Sequence, residues 1–591
     1  MAAAPRIRCV VTRDRPRRRR IAMRARVLTI AVALSLLAVA CGGNAQGPQS
    51  TKLAANQTLN IPVFSGSGVV TLDPGHVSDF LGVALLGQMF TGLLGFDQHL
   101  NIVPSIAKSL PSVSSDGLTY TFHLRHDVKF SNGDPVTSQD VLYSWDRTAS
   151  LQDTYALVFD PVVGSQAVAS GSTTTLSGLS APDPYTVVAH LQYPAGYWET
   201  EVAIWPAAIV DRKAIEAGGQ DTWWNDPKTA VGTGPFRLTQ YTPNASIDFA
   251  PVGNWWGGST GTLKHIHLDE GLDPTSAVKK YEARGYDVVG WGSQTPSNDD
   301  ILRYERDPTK KSQLHIYPGS ATEWLSYSFL GSSPFAPRQG LQPGQATQGI
   351  GQDQGKGGRD ALSLAVNRNQ LVNVACAGGT TCNPGTGGYI SKGLAGYVGD
   401  NSDPSAPAGG DRSKAKAEYR KWDPPGQKLA GLRVEFSSNP TNNVVWQNYQ
   451  AQVKEALGVN LTLYPTDTKT SLADGRNHKI ILGASDWGAD YNHPQDWFDN
   501  LFVCSQTRIG GHNGSGYCDP SMDKIVAKAD QQPLSQSLSQ YKQAGQMLSQ
   551  NDHGAVMFYT RSVYLTQPYV QGAANNGLYD SPWRSMRILQ H

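Results

Sequence analysis

Residues 115–147 read SDGLTYTFHLRHDVKFSNGDPVTSQDVLYSWDR, and this stretch decides more about the fold than any other. An Asp-Gly turn dipeptide at 116–117 is followed by apolar residues at every second position of 120–124, the alternation of a half-buried strand. Thr137 then precedes a helical pattern, and Asp140 follows it by three residues as in a capping box. The stretch therefore predicts a β-hairpin followed by a helix.

A later segment predicts a strand, a helix and a strand in succession. Leu432–Phe436 and Leu461–Tyr464 have the pattern of strands, and Val444–Leu457 between them has the pattern of a helix. This order favours an α/β lobe with parallel strand pairing.

The chain is long and unevenly charged. Its 591 residues exceed what one hydrophobic core holds, so two or three lobes are expected. Residues 1–40 contain ten arginines and one aspartate, a net +9, so the overall charge of +1 leaves −8 for the remainder. Because the basic cluster at 13–20 lies in this leader, we expect no nucleic-acid partner.

The N-terminal region has the pattern of a signal peptide over residues 1–40. Its apolar run, Val27–Ala40, has 14 residues, fewer than the roughly 20 that a transmembrane helix needs. Cys41 follows directly and resembles the lipidated cysteine of a lipobox, so we predict a lipid anchor at Cys41 and a flexible tether over 41–57. The alternative is an ordinary secretory signal that is cleaved after the A-x-A site at 38–40.

Four further cysteines form an even set that allows three disulfide connectivities. We predict the pairing that is local in sequence, Cys376–Cys382 and Cys504–Cys518, which closes two short loops. A zinc site built from all four thiolates is the alternative, although neither pair has the C-x2–4-C spacing that such sites favour.

Several motifs outside the opening stretch add to the interpretation. They are VGTGPFRL at 231–238, NWWGG at 254–258, RDALSLAVNR at 359–368 and DWGADY at 486–491. Together with residues 115–147, they resemble signature regions of the family-5 extracellular solute-binding proteins, which are the peptide, opine and nickel binders of ABC importers. The resemblance extends from about residue 71 to residue 581.

This resemblance implies an α/β architecture, the two-lobed periplasmic-binding-protein (Venus flytrap) fold with an extra third domain. A base lobe would consist of residues 58–96, 206–323 and 565–591. The extra domain would comprise 97–205, and the second lobe 324–564.

The resemblance also implies a ligand site at Asp490, whose carboxylate would pair with the α-ammonium group of a bound peptide. Trp487, Ala489 and Tyr491 belong to the same motif and are candidate ligand-binding residues. A carboxylate in an aromatic-walled cleft is costly to desolvate without a cation, and a peptide amino terminus supplies one. The alternative is that Asp490 caps a turn before Asn492.

Other candidate residues carry weaker signals. Tyr327 lies where the family crosses into the second lobe, and its alternative role is packing in a strand. Asp486 is interpreted as a surface or capping residue. His265 and His267 share one strand face but have no third ligand in register, so we predict no metal site.

The resulting hypothesis is a lipoprotein on the outer face of the cell membrane that captures extracellular oligopeptides between two lobes. It would deliver them to ABC permease subunits driven by separate ATPase subunits, without a cofactor or enzymatic activity, and as a monomer apart from the transporter. One alternative is a receptor of the same fold for a nickel chelate, haem, an opine or a sugar oligomer. A surface hydrolase or an adhesin on this fold is the other, although Ser515 fails the G-x-S-x-G pattern.

Overall fold

A computed structural model describes residues 51–349, 351–551 and 554–591. The predicted signal peptide and Cys41 lie outside the described residues, as does the first part of the tether.

Strands and helices alternate along most of the described chain. The strands are β1 Thr58–Phe64, β2 Leu94–Phe96, β3 Ile102–Pro104, β4 Ser112–Val113, β5 Thr119–His123, β6 Leu179–Asp183, β7 Thr186–His190, β8 Phe236–Thr242, β9 Ser246–Pro251, β10 His265–Leu272, β11 Val288–Val289, β12 Leu314–Tyr327, β13 Cys382–Pro384, β14 Arg433–Ser437, β15 Thr462–Thr466, β16 Leu482–Gly488, β17 Gly554–Thr566, β18 Val570–Gln571 and β19 Arg587–Ile588. The helices are α1 Phe80–Met89, α2 Ser138–Ser150, α3 Ser165–Ala169, α4 Trp198–Val202, α5 Arg212–Gly218, α6 Pro274–Glu282, α7 Asn298–Arg306, α8 Lys356–Leu364, α9 Arg368–Ala375, α10 Arg412–Trp422, α11 Pro440–Leu457, α12 Thr468–Arg476, α13 Gln495–Trp497, α14 Pro520–Asp530 and α15 Leu534–Gln550.

Three larger sheets organise these elements. The first has the order β1-β10-β9-β8, and the second has the order β4-β5-β7-β6. The third and largest has the order β11-β17-β12-β16-β14-β15, with β13 paired to β17. The sequence-predicted strand–helix–strand unit is confirmed as β14, α11 and β15, and β14 pairs with β15 in parallel.

The hairpin and helix predicted from residues 115–147 are also present. β4 and β5 pair antiparallel across the Asp-Gly turn, and β5 continues the sheet by pairing with β7. Thr137 is the N-cap of α2, and the Asp140 carboxylate accepts hydrogen bonds from the Thr137 backbone N–H at 2.7 Å and from its hydroxyl at 2.8 Å. The first of these bonds satisfies the backbone N–H of the N-cap residue, which the helix start would otherwise leave unpaired.

Each large sheet packs on a hydrophobic cluster of its own, and the first cluster joins distant parts of the chain. Leu59 and Ile61 of β1 are fully buried in it, together with Phe249 of β9. Trp583 and Ile588 enter the same cluster from the C-terminal segment, and the Trp583 ring lies 5.0 Å from the Phe249 ring. The last part of the chain therefore contributes to the hydrophobic core on which the first sheet packs.

Two long strands run through the positions at which the sequence predicts lobe boundaries. β12 spans 14 residues and contains the predicted boundary at 323/324. β17 spans 13 residues and contains the boundary at 564/565. The two strands pair antiparallel with each other from Leu314–Leu565 to Ser326–Gly554, with register shifts on the way.

Candidate ligand-binding site

Three distant segments of the chain meet at Asp490. This residue follows β16 by two positions and is half-buried. Tyr155 donates its phenolic O–H to Asp490 Oδ1 at 3.0 Å from a short 3-10 turn at 154–159. Tyr579, in the C-terminal segment, donates its O–H to the backbone carbonyl of Asp490 at 2.7 Å. The carboxylate thus lies where the predicted extra domain, base lobe and second lobe contact one another.

Asp496 lies behind this carboxylate and holds the turn that presents it. Its side chain is completely buried, and its Oδ2 accepts hydrogen bonds from the Asp490 backbone N–H and from Trp487 Nε1, both at 3.2 Å. Asn500 Nδ2 donates to the Asp496 backbone carbonyl at 2.7 Å. Because the two carboxylates are neighbours, burial and the Asp490 charge both raise the pKa of Asp496 well above its usual range.

Asp490 is under electrostatic strain in the absence of a partner cation. Burial raises the pKa of the Asp490 carboxyl to about 7, and the hydrogen bond from Tyr155 opposes this rise. Among the described residues, no Lys, Arg or His forms an ion pair with Asp490. A ligand cation placed here would replace the lost hydration and favour the ionised form.

The outer edge of β16 carries backbone groups that no described strand uses. β12 pairs with all of β16, whereas β14 pairs with it only at Gly483. The Ala489 N–H donates to the Ser320 carbonyl at 3.2 Å. The backbone N–H and C=O groups of odd-numbered residues in β16 therefore bond to β12, and those of even-numbered residues point toward the opposite edge of the strand. Asp486 and Gly488 therefore present backbone donors and acceptors along an unpaired edge that leads to the Asp490 turn.

One face of this edge points toward α1 and carries two carboxyl groups. A Cβ added at Gly488 would lie 2.8 Å from Phe80 Cζ, at the start of α1. Asp486 shares this face by strand alternation, and so does its cross-strand neighbour Glu323. Glu323 is 9% exposed, and burial together with the Asp486 charge raises its pKa to about 8. Asp486, interpreted from sequence as a surface or capping residue, is exposed on this face of β16.

The other members of the sequence motif have different surroundings. Trp487 is half-buried and contacts the core of the largest sheet through its ring. Ala489 is 4% exposed and lies in that core. Tyr491 is 3% exposed, packs into the core of the second sheet and donates its O–H to Gln495 Oε1 at 2.5 Å. These three side chains shape the turn around Asp490.

Tyr327 is placed away from this group of residues. Its side chain is 1% exposed in the core of the largest sheet, and its O–H donates to the Arg359 backbone carbonyl at 3.2 Å. This environment corresponds to the alternative role, packing in a strand, and we leave Tyr327 out of the proposed site.

The four cysteines form disulfide bonds, and the two histidines His265 and His267 contact a nearby aspartate. The cysteines pair as Cys376–Cys382 and Cys504–Cys518, the connectivity that is local in sequence. His265 Nε2 and His267 Nδ1 both contact Asp248 Oδ1, at 2.8 and 2.7 Å. Within the described part of the chain, no group of three or more His, Cys, Asp or Glu residues has an arrangement that could hold a metal ion.

Three residues of this site could not be identified from the sequence. Tyr155 and Tyr579 are 335 and 89 positions from Asp490, and neither belongs to a recognisable motif. Asp496 lies six residues after Asp490 and was the only one within reach of the motif. An acidic residue two positions after Pro494 is typical of a turn, so the sequence pattern does not indicate that Asp496 is buried against a second carboxylate.

Comparison with known proteins identifies the family to which this chain belongs. Residues 101–508 match the family model described as bacterial extracellular solute-binding proteins, family 5 middle. The chain belongs to this family of extracellular solute-binding proteins. The match covers more than half of the chain and includes the segment from the opening hairpin to the Asp490 turn, so the family predicted from sequence motifs is confirmed.

Individual members of the family match nearly end to end. A dipeptide-binding protein of Lactococcus lactis subsp. cremoris is 26% identical over 568 residues, covering 92% of this chain and 95% of that protein. The periplasmic oligopeptide-binding protein OppA of Escherichia coli is 24% identical over 578 residues, covering 95% of this chain and 98% of that protein.

Solved structures of the family share the fold. The Escherichia coli murein tripeptide-binding protein MppA superposes with a TM-score of 0.71 at 22% identity, covering 92% of this chain and all of that one. Listeria monocytogenes OppA bound to peptide gives a TM-score of 0.70 at 20% identity, covering 91% of this chain and all of that one. The two-lobed α/β fold predicted for this solute-binding protein is therefore confirmed. In residues 51–349, 351–551 and 554–591, every helix is too short or too polar to span a bilayer.

Proposed function

We propose that this solute-binding protein is the peptide receptor of an ABC importer and that Asp490 binds the amino terminus of the peptide. The observation that carries the proposal is the position of Asp490, a carboxylate without an ion-pair partner in the described chain, beside the unpaired edge of β16. The relatives named above as dipeptide- and oligopeptide-binding proteins support the same ligand class.

In this proposal the peptide is bound as an additional strand. Its backbone would exchange hydrogen bonds with Asp486 and Gly488, whose N–H and C=O groups face the open edge. Its terminal ammonium would then meet Asp490, with Tyr155 bonded to the same carboxylate. Backbone pairing and one charge pair fix the register without reading side chains, which suits a receptor of many sequences.

The test compares a free tripeptide with its N-acetylated form on the wild type and on Asp490→Asn by isothermal titration calorimetry. Losing one partner of a buried charge pair costs about 2–5 kcal/mol, so we expect the free peptide to bind at least about 30-fold more weakly to the variant. The acetylated peptide should bind the two proteins equally. Glu216→Gln, which removes an exposed carboxylate paired with Arg212, is the matched control. Equal affinity of the free peptide for wild type and Asp490→Asn would refute the amine-binding role.

The cellular part of the proposal concerns transport. Cleavage of the 1–40 signal peptide and lipidation of Cys41 would hold the receptor on the outer face of the cell membrane. From there it would deliver peptide to permease subunits that are driven by separate ATPase subunits. Expression in a bacterial host with labelled fatty acid should label the wild type and leave Cys41→Ser unlabelled.

Incubating the purified protein with peptides and recovering them intact by mass spectrometry would support a receptor, whereas fragments would support a hydrolase.

A further inference from the structure

A second group of carboxylates surrounds a cavity of about 690 Å³. One wall is formed by the extra-domain residues 153–160 and 193–201, and the other by residues 495–531 of the second lobe. The cavity lies next to the Asp490 site, since Thr154 lines it and the adjacent Tyr155 bonds to Asp490. The acidic residues that line it are Asp153, Asp160, Glu201, Asp499, Asp523 and Asp530.

Few cations compensate these carboxylates. Asp153 pairs with His76 at 2.8 Å, whereas the other five have no ion-pair partner among the described residues. The basic residues of the lining are Arg508, which is exposed, and His512, whose pKa is lowered by burial and by Arg476 and Arg508. The lining of the cavity therefore contains more carboxyl groups than cationic groups.

Glu201 is a buried carboxylate of this lining with an unsatisfied oxygen. Its side chain is 1% exposed, and its Oε1 lies 3.4 Å from the Tyr491 hydroxyl, whose proton is donated to Gln495 Oε1 at the shorter distance of 2.5 Å. Its Oε2 is buried without any hydrogen-bond partner in the described chain, and so is Asp523 Oδ1. An unsatisfied buried carboxylate oxygen is costly, and native proteins rarely retain one without a reason.

The carboxylates of the cavity also repel one another when they are ionised. Burial raises the pKa of Asp160 and of Asp499 to about 6. Burial raises the pKa of Glu201 well above its usual range, and the charges of Asp499 and Asp160 add to this effect. A bound cation would offset both the desolvation and the mutual repulsion of these groups.

The geometry favours an organic cation over a metal ion. No three of the described acidic residues converge closely enough to chelate a metal. The volume falls in the range of small-molecule sites, roughly 300–1,000 Å³, and the carboxylates are spread over both walls. Spaced ammonium or guanidinium groups on a flexible chain match this distribution.

We propose that this cavity is a binding site for alkylammonium or guanidinium groups, with Glu201 as its central acceptor. Two sources share this chemistry, a free polyamine and a basic side chain of the peptide held at Asp490. The second source rests on the proposed function, whereas the first is independent of it. In either case the cavity would give the receptor a preference for cationic ligands.

The experiment measures binding by isothermal titration calorimetry with three probes, namely spermidine, Lys-Ala-Ala and its uncharged analogue norleucine-Ala-Ala. The proteins are the wild type, Glu201→Gln, Asp490→Asn and the control Glu216→Gln. Glutamine keeps the size of Glu201 while removing its ability to carry a negative charge. Asp160→Asn combined with Asp499→Asn serves as a second variant if Glu201→Gln does not fold, and circular dichroism checks folding.

A polyamine site predicts that spermidine binds the wild type and binds Glu201→Gln at least about tenfold more weakly, with Asp490→Asn and Glu216→Gln unchanged. A side-chain site predicts that Lys-Ala-Ala loses its advantage over norleucine-Ala-Ala in Glu201→Gln alone. The proposal is overturned if spermidine does not bind and the ratio of the two peptides is unchanged in Glu201→Gln. It is also overturned if Glu201→Gln weakens both peptides equally. Loss of the Asp490 effect would contradict only the proposed function, because spermidine binding does not depend on it.

Discussion

At the scale of single residues, the surroundings of Asp490 disfavour its charged form, and this bears on its proposed role in binding. Burial raises its pKa to about 7, above the value of about 3.9 expected in the unfolded chain. A carboxyl group whose folded-state pKa is raised favours folding when protonated, so its contribution to stability is lost as pH rises through about 7. The site is thus poised to gain from a cation that restores the charge.

The raised pKa of Asp490 leads to a prediction about the stability of the protein. Asp490→Asn keeps the acceptor for Tyr155 and removes the charge, so the ligand-free variant should melt at a higher temperature than the wild type at pH 8. The difference should shrink as pH falls and vanish near pH 4, where both states of the wild-type carboxyl are protonated. Thermal denaturation followed by circular dichroism at several pH values measures this, and a variant less stable than wild type at pH 8 would contradict it.

The same titration predicts the pH dependence of peptide binding. Affinity should fall as pH decreases below about 7, approaching about tenfold per pH unit, because the free site must lose a proton to pair with the ammonium group. It should also fall above the pKa of the peptide amine, about 7.7–8.0. Calorimetric titrations between pH 5 and 9 would show a maximum between these values. An affinity that is flat from pH 5 to 7 would argue against Asp490 as the acceptor.

Tyr155 acts on the ligand through Asp490. Its hydrogen bond favours the ionised carboxylate, so Tyr155→Phe should raise the pKa of Asp490 and move the acidic limb of the binding profile to higher pH. A hydrogen bond to a charged group contributes about 1.5–3 kcal/mol, which corresponds to a loss of affinity of about 10- to 150-fold at neutral pH. If Tyr155 serves only in packing, affinity would drop equally at every pH and the profile would not move.

At the scale of elements, the edge of β16 makes a prediction about the ligand. A peptide strand directs alternate backbone N–H groups toward its neighbour, so N-methylation of the ligand should weaken binding at every second residue and leave the residues between nearly unaffected. A series of singly N-methylated peptides, measured by calorimetry, tests the pattern. Equal effects at successive positions would exclude pairing with Asp486 and Gly488.

The elements around the site differ in how far the sequence could predict them. α2, β14, α11 and β15 were readable because capping residues and apolar periodicity are local signals. The position of Asp490 came from its motif, which is also local. The hydrogen bonds from Tyr155 and Tyr579 were not predictable, because they depend on where loops of two other parts of the chain are brought by packing. The free edge of β16 depends on sheet order, which one sequence does not determine.

At the scale of the whole molecule, β12 and β17 connect the parts that would move on binding. Both strands contain the predicted lobe boundaries, and their pairing shifts register between Pro318 and Thr322 and between Glu323 and Trp324. A pair of β-strands bends most readily at such register shifts. Two adjacent strands with these shifts would allow hinge motion while keeping the lobes aligned.

Small-angle X-ray scattering tests this motion. Addition of a saturating free tripeptide to the wild type should lower the radius of gyration, because closure around the ligand compacts the two lobes. Asp490→Asn should show a much smaller change at a peptide concentration that just saturates the wild type, since it binds at least about 30-fold more weakly. An adhesin on this fold would keep the same scattering curve with and without peptide.

The Cys504–Cys518 bridge has a consequence for the acidic cavity that goes beyond holding a loop. The residues it encloses supply much of one wall, including Ser505, Arg508 and His512. A bridge that closes a loop of this length stabilises the folded state by about 3 kcal/mol, because it lowers the chain entropy of the unfolded state, and Asp490 and Tyr155 lie outside the loop. Reduction of the bridge would free the loop that carries Arg508, a cation close to Asp160, whereas the acidic residues of the cavity lie outside this loop. The affinity for peptides as a class would then persist while the preference for cationic ones increases. The oxidation state of the surroundings would thereby set how selective the receptor is, without setting whether it binds.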